Sequence, residues 1–266
     1  MGNKLLVSII TVSYNSEEFI EDNINSVLNQ NYENIEHIIV DGNSTDRTID
    51  IIKNYQIRYK KSDKELKWTS EKDKGIYDAM NKGIDMASGD IIGILNSDDF
   101  YTSKNSIKCI INCFEKEKNL DGCYGIIEKI SSLDKEKTIR ISRMADRKNY
   151  FSKFKYGWHP PHQSIFVKKH VYIKYGKYNL KYKLAADFDF LCRIFEKKNL
   201  RIKFIPKIII KMRLGGESNK NIRATLNGLY ESFLVLKDNN IIPFFIFIKP
   251  LRKLFRNIKY IFKKSL

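Results

Sequence analysis

The chain has 266 residues, is 42% hydrophobic and 12% aromatic, and carries a formal net charge of +17. That length suits one large α/β domain or two small ones, and the composition excludes a disordered chain. The charge favours anionic partners, whether nucleotides, nucleic acid or an anionic membrane surface.

The four cysteines, Cys109, Cys113, Cys123 and Cys192, form no CxxC pair. They read as free thiols in a reducing, cytoplasmic compartment rather than as disulfides or metal ligands. The apolar run Leu5–Ile10 is too short for a signal peptide and passes directly into polar Thr11 and Ser13, so it predicts a first strand. No apolar run approaches the ~20 residues that a spanning helix needs.

Leu5–Val12 is followed by the loop Ser13–Ser16, and Phe19, Ile20, Ile24, Val27 and Leu28 then recur at helical spacing within Glu17–Asn29. Ile35–Val40 predicts a buried strand stopped by Asp41-Gly42-Asn43-Ser44. A helix starts near Thr45/Asp46, whose side chains suit capping, and runs to about Tyr55. Leu66–Ser70 is a short third strand and Gly75–Ala87 a helix. Ser88-Gly89-Asp90 turns the chain into the apolar run Ile91–Leu95, which ends abruptly in Asn96-Ser97-Asp98-Asp99. Strand and helix therefore alternate three times before a fourth strand, the pattern of a mostly parallel sheet with helices on both faces.

Right-handed crossovers bring strand ends of one sense to one edge of the sheet. The polar clusters Tyr14/Asn15, Asp41, Glu71/Asp73 and Asp98/Asp99 thus share a rim, where open α/β sheets bind ligands. Adjacent carboxylates repel unless a cation lies between them, and Mg²⁺ is commonly held by one or two carboxylates plus substrate phosphates. A polar turn after a strand is the plainer alternative. With neither GxGxxG nor GxxxxGK[ST] in the chain, an ordinary dinucleotide or P-loop site is not expected.

Four segments in order resemble the motifs of family 2 glycosyltransferases, inverting sugar transferases of the GT-A fold. They are Val7–Asn15, Val40–Asp46, Asp73–Gly83 and Leu95–Asp99. The resemblance is dense over about the first 105 residues and looser to about Ser218. It implies that Thr11 and Tyr14 line the base pocket, with the Tyr14 ring against the nucleobase. Asp41 would accept a hydrogen bond from the base, and Asp73 would be a further base contact. Lys74 would approach a phosphate. Asp98 would bind Mn²⁺ or Mg²⁺, with Asp99 beside it at the metal shell or the transferred sugar. Three positions depart from the pattern. Asn96 replaces the first acid of DxD but can still meet a ribose hydroxyl. Met80 stands where many relatives have Arg, and Ala186 where many have Glu before the catalytic acid.

In the second half, Ser106–Lys118 predicts a helix and Gly122–Ile130 a strand, while Lys129–Lys148 is charge-rich and aperiodic. Gly157–Gln163 is an aromatic, polar loop. The resemblance places His159, His162 and Gln163 on the acceptor side, before a short strand at Ser164–Val167. An inverting transfer needs one base for the acceptor hydroxyl. Asp187, at the start of a helix and matching the family's base position, takes that role, with Asp189 in reserve. Arg213, before Gly215-Gly216-Glu217-Ser218, would reach the diphosphate.

The chain is expected to divide into a domain over 1–218, with nucleotide-binding and acceptor-binding halves (1–105 and 106–218), and a helical extension over 219–266. The last 27 residues hold seven Lys/Arg and no Asp/Glu. Leu251, Leu254, Phe255, Ile258 and Phe262 fall on one helical face and Arg252, Arg256, Lys259 and Lys263 on the other, as in an interfacial helix on anionic lipid, with packing against the body or a partner subunit as the alternative. The implied activity is transfer of a sugar from a nucleotide-sugar donor, most simply a UDP-sugar, to a lipid-linked saccharide acceptor in surface-polysaccharide assembly. The site would lie at the cytoplasmic face of a membrane. A nucleotidyltransferase would want a basic, glycine-rich phosphate loop that Thr11–Ser16 does not supply. A non-catalytic membrane or nucleic-acid binder would not need carboxylates at successive strand ends.

Overall fold

The computed structural model describes residues 4–62, 64–132, 134–142, 154–156, 159–196, 200–214 and 222–243. Its strands are β1 (Val7–Ser13), β2 (Ile35–Asp41), β3 (Glu65–Ser70), β4 (Ile91–Ile94), β5 (Phe100–Tyr101), β6 (Gly122–Ile130), β7 (Thr138–Ile141), β8 (Ile165–Lys168) and β9 (Ile202–Arg213). Its helices are α1 (Ile20–Leu28), α2 (Thr48–Tyr59), α3 (Ile76–Met86), α4 (Ser106–Lys116), α5 (Lys169–Tyr175), α6 (Ala186–Phe195) and α7 (Ile222–Asp238).

The described strands form one sheet in the order β3-β2-β1-β4-β8-β6-β9-β5, with β7 beside β6. β1 to β4 are parallel, as their alternation with helices predicts. β8 runs antiparallel between β4 and β6, which restores the original direction in β6 and β9. The C-terminal ends of β1, β2, β3, β4, β6 and β9 therefore point to one rim. The antiparallel insertion is the main feature that residue periodicity missed, because a short apolar strand carries no record of its direction.

Alternation along the strands divides the core. Ile10, Val12, Ile38, Val40, Ile92 and Ile94 pack with Tyr77 and Met80 of α3, Phe190 and Phe195 of α6, and Val235 and Leu236 of α7. Val7, Ile9, Ile35 and Ile91 face the other way, onto Ile107, Ile110 and Phe114 of α4. A third cluster joins Ile20 and Ile24 of α1 to Ile52, Tyr55 and Tyr59 of α2 across Ile39. Thus α7, assigned from sequence to an extension, shares a core with the sheet. The basic tail from residue 244 onward lies outside the described residues.

The sheet is curled, and chain length requires it. In sheet order three strands lie between β4 and β5, which in a flat sheet would separate them by roughly 19 Å at the usual strand spacing. The connection 95–99 could cover about that distance only if fully extended. Instead it contains a turn, closed by Asp99 N–H donating to the Asn96 carbonyl at 3.0 Å. Curling brings β5, and through it β9, back against the loop that carries the two acids.

Candidate active site

The loop after β4 is held from three directions. The Asn23 amide on α1 donates to the carbonyls of Asn96 (2.8 Å) and Asp99 (2.9 Å). Ser97 shares a hydroxyl–hydroxyl hydrogen bond of 2.8 Å with Ser16. Arg213, the last residue of β9, donates its guanidinium to the Asp98 carbonyl at 2.7 Å and its backbone N–H to Asp99 Oδ1 at 3.3 Å. The same guanidinium pairs with Asp22 and lies between the rings of Phe19 and Phe100, 4.9 and 5.0 Å from their centroids.

So clamped, the loop presents two acids that the charges of Arg213 and Lys129 offset only in part. Burial pushes the Asp98 carboxyl up, against smaller opposing effects that include the Arg213 charge. Asp99, 1% exposed, is pushed well above the usual carboxylate range by burial and then by the neighbouring Asp98. Asp99 Oδ2 and Asn96 Oδ1 are buried without a hydrogen-bond partner among the described residues. Buried polar atoms are rarely left unpaired. Two crowded carboxylates and unpaired oxygens form a hard, oxygen-only donor set that suits Mg²⁺ or Mn²⁺ carrying phosphate.

The β1–β3 end of the rim is built by strand register. Ser13, Asp41 and Ser70 are lateral neighbours on β1, β2 and β3, and both hydroxyls donate to Asp41, at 3.0 and 2.8 Å. The Ser44 N–H (2.8 Å) and hydroxyl (2.5 Å) supply two more hydrogen bonds. Asp41 is buried with four donors on its carboxylate, which ties three strands to the following turn. The expected hydrogen bond to a base therefore gives way to a structural role: the acceptor sites are filled and the side chain is not exposed.

Thr11 also departs from expectation. It has the parity of Val7 and Ile9, points away from the rim's open side and is fully buried. Its hydroxyl lies 3.0 Å from Asn23 Oδ1 and 2.9 Å from His37 Nε2. It thus supports the base of the acidic loop through Asn23. His37 continues this network to the Tyr59 hydroxyl at 2.8 Å, and burial pushes its pKa down to about 3, so it stays neutral.

Tyr14, at 64% exposed, is open on the rim. A Cβ on Gly42 would come within 2.7 Å of Asp73 Oδ2 and 3.4 Å of the Tyr14 ring. Glycine there lets these two side chains converge beside the end of β2. Asp73 Oδ1 accepts the Gly75 N–H at 2.8 Å, and Gly75 has a φ of +116°, which only glycine adopts freely. This turn leaves Lys74 exposed and starts α3, which carries Tyr77.

Tyr77 links the two ends of the cleft. Its hydroxyl donates to Asp187 Oδ1 at 2.9 Å, and His162 Nδ1 lies 3.1 Å from Asp187 Oδ2. Burial alone would raise the Asp187 carboxyl. The His162 hydrogen bond and charge, the His159 charge and the Tyr77 hydroxyl outweigh it and hold Asp187 well below the usual carboxylate range. Asp187 lies in the first turn of α6, where the helix dipole also favours an anion.

Glu231 of α7 accepts hydrogen bonds from the backbone N–H groups of Leu184 (2.7 Å) and Ala185 (3.1 Å), which lead into that turn. A side chain from α7 thus holds the start of α6.

The remaining acceptor-side residues separate. Asp189, one turn position on, is buried between Arg193 Nε at 2.9 Å and Asn239 Nδ2 at 3.0 Å, and so joins α6 to α7 rather than facing an acceptor. Gln163 is buried against Met212 Sδ at 3.6 Å. His159 Nδ1 lies 3.0 Å from the Pro160 carbonyl, and its ring packs on Phe188. Arg213, expected to reach for a diphosphate, is 6% exposed and fully engaged beneath the loop; Gly215–Ser218 lie outside the described residues. Sequence reasoning gave no role to Asn23, Tyr77 or Glu231. Of these only Tyr77 stood inside a recognisable motif.

A rim of parallel strand ends with Tyr14 and Asp73 converging over Gly42, paired acids after β4 and a hydrogen-bonded acid on α6 suits the arrangement of a GT-A sugar transferase. The model of the family described as "Glycosyl transferase family 2" matches residues 8–176. The chain belongs to that family and is a glycosyltransferase. It is 27% identical over 216 residues to a "PGL/p-HBAD biosynthesis glycosyltransferase" of Mycobacterium bovis, covering 80% of this chain and 79% of that one.

Among solved structures it resembles S. aureus TarS in complex with UDP-GlcNAc, with a TM-score of 0.67 at 16% identity over 87% of this chain and 66% of the TarS chain. It also resembles the mannosyltransferase PcManGT of Pyrobaculum calidifontis in complex with GDP-Man and Mn²⁺, with a TM-score of 0.64 at 14% identity over 87% of this chain and 65% of that one. The chain thus spans about two thirds of the solved chains it resembles, and at these identities the likeness concerns the fold. No helix among the described residues is long and apolar enough to cross a membrane.

Proposed function

We propose that the protein is an inverting, metal-dependent transferase that moves a hexosyl or N-acetylhexosaminyl group from a nucleotide-diphosphate sugar, most simply a UDP-sugar, to a lipid-linked saccharide during assembly of a bacterial surface polysaccharide. The observation that carries this is the clamped pair Asp98–Asp99, with buried, unpaired oxygens on Asp99 and Asn96. It lies on the same rim as the Tyr14–Gly42–Asp73 recess.

Tyr14 offers a ring face to the base and Asp73 a carboxylate beside it. Asp98 and Asp99 would hold Mn²⁺ or Mg²⁺, which supplies positive charge to a leaving diphosphate. Asn23 and Arg213 keep the loop from relaxing, so its charge is organised before the donor arrives. Lys74 stands exposed at the same edge, within the segment that supplies Asp73. Asp187, held by Tyr77 and His162, would take the proton of the acceptor hydroxyl. The cation-rich, acid-free tail would hold the enzyme on an anionic membrane surface, where a lipid-linked acceptor is presented.

Calorimetric titration of UDP, GDP and dTDP with and without Mn²⁺ tests the donor assignment. Metal-dependent binding of UDP is expected. Failure of folded protein to bind any of the three would overturn it.

A further inference from the structure

The turn Asn96–Asp99, which carries both acids, is stapled by one side chain. Asn23 of α1 is fully buried, and its amide donates to the carbonyls at the two ends of that turn, Asn96 at 2.8 Å and Asp99 at 2.9 Å. A carbonyl oxygen can only accept, so both amide protons are used there and Asn23 Oδ1 must face the other way. It faces the Thr11 hydroxyl, at 3.0 Å. Thr11 has one proton, and giving it to Asn23 leaves only lone pairs for His37 Nε2, 2.9 Å away. Nε2 must therefore carry the imidazole proton. The remaining lone pair lies on Nδ1, which takes the hydroxyl proton of Tyr59 at 2.8 Å. Burial keeps His37 neutral and the Tyr59 phenol protonated, so each group has the single proton that this order requires.

Resting on the function proposed above, we propose that Tyr59, His37 and Thr11 form a one-way hydrogen-bond relay that fixes the Asn23 amide, and that Asn23 is the positioning residue of the metal-binding turn. Each member donates to the next, from Tyr59 on α2 through β2 and β1 to α1. The opposite imidazole tautomer would draw the Thr11 proton to His37. Asn23 Oδ1 would then lie buried against an oxygen with no proton between them, which buried groups seldom tolerate. Free to turn, the amide could no longer hold both carbonyls.

The consequence falls on the acids. Two crowded carboxylates would spread the turn that bears them, and a staple at both of its ends opposes that spreading before any cation binds. The staple needs two donors on one side and an acceptor on the other, which a carboxamide supplies and a hydroxyl or carboxylate does not. The relay also accounts for two polar side chains in the middle of the sheet. Thr11 and His37 are fully buried on strands whose neighbouring positions are Ile9, Ile10, Ile38 and Ile39. Groups that orient a metal's ligands without touching the metal typically change its affinity by about 10–100-fold.

Thr11→Val is the discriminating variant, because it keeps the shape of the side chain and removes the hydroxyl. Mn²⁺ affinity in the presence of UDP, read from the paramagnetic resonance signal of the free ion, should fall by about 10–100-fold in protein that is folded at the assay temperature. Thr11→Ser, which restores the hydroxyl, should restore the affinity. Wild-type Mn²⁺ affinity in folded T11V would overturn the proposal and leave the network a role in packing alone. Absence of metal-dependent UDP binding in the wild-type protein would instead overturn the function on which it rests. A second measurement needs no variant. In protein labelled with ¹⁵N at its four histidines, His37 should show a protonated Nε2 and a bare Nδ1 at neutral pH. A proton on Nδ1 in place of Nε2 would sink the relay even if T11V does not fold.

Discussion

The acids of the β4 loop and the acid of α6 stand in opposite electrostatic settings. Around Asp98 and Asp99 burial dominates: the carboxyls are pushed up, and oxygens on Asp99 and Asn96 have no partner among the described residues. Around Asp187 the burial effect is also present, yet the imidazoles of His162 and His159 and the Tyr77 hydroxyl overcome it and push the carboxyl down. Both regions are rigidly supported, the first by Asn23 and Arg213 and the second by Glu231. The difference is who supplies the compensating charge. The α6 acid has its donors among the described residues, whereas the loop acids are left partly uncompensated, which fits the cation proposed for them. Acids with divergent environments are a mark of divided chemical labour.

The contrast can be broken at its strongest point by Asp187→Asn. This variant removes the acid proposed to take the acceptor's proton, and kcat should fall by about 10²–10⁴ while donor binding persists. A variant with normal turnover would mean that the α6 acid serves structure alone.

Asp99→Asn sharpens the other side. It should abolish the metal dependence of UDP binding in calorimetry. In metal-free buffer at neutral pH it should raise stability to urea by on the order of 1 kcal/mol, because one of two crowded anions is gone.

The sign of the pH effect separates the regions further. Asp98 and Asp99 have raised folded pKa values, so they favour the metal-free fold at low pH and weaken it as pH rises through those values. Stabilisation by Mn²⁺ in thermal melts should therefore be largest at neutral pH and shrink on acidification. His37 behaves oppositely. Its pKa is lowered to about 3, so its contribution is present above the unfolded value of about 6.5 and is lost as pH falls through the folded one. Glu36, lowered to about 2, adds to that loss at still lower pH. Burial alone would raise Glu36, but hydrogen bonds from Lys67, Ser8 and Ser88 outweigh it.

The smallest expected effect is at Tyr77→Phe. Removing one hydrogen bond to a buried carboxylate should cost about 1.5–3 kcal/mol, read as a drop in kcat of roughly tenfold to a hundredfold. The midpoint of donor binding should not change.

Much of the first half was legible before any coordinates. Alternating apolar runs predicted β1 to β4 and α1 to α3 to within a few residues, because each segment's period is set by its own backbone geometry. The position of the two acids after a buried strand followed from the same pattern. What sequence alone could not say was which side chains were already committed. Asp41 and Thr11 looked like ligand contacts, yet lateral register surrounds Asp41 with serines from three segments, and strand parity turns Thr11 toward Asn23. Arg213 looked like a mobile arm until β9 placed it beneath the acids, more than a hundred residues away in sequence.

The chain's own order of residues determined the elements, the parallel first half and the family, since these depend on local period and short motifs. The partner of each polar group was decided only in three dimensions. The antiparallel β8, the curl that returns β9 to β4, and the contact of α7 with α6 bring together residues whose separation leaves no local trace. It is these long-range neighbours that raise one pair of acids and lower the other.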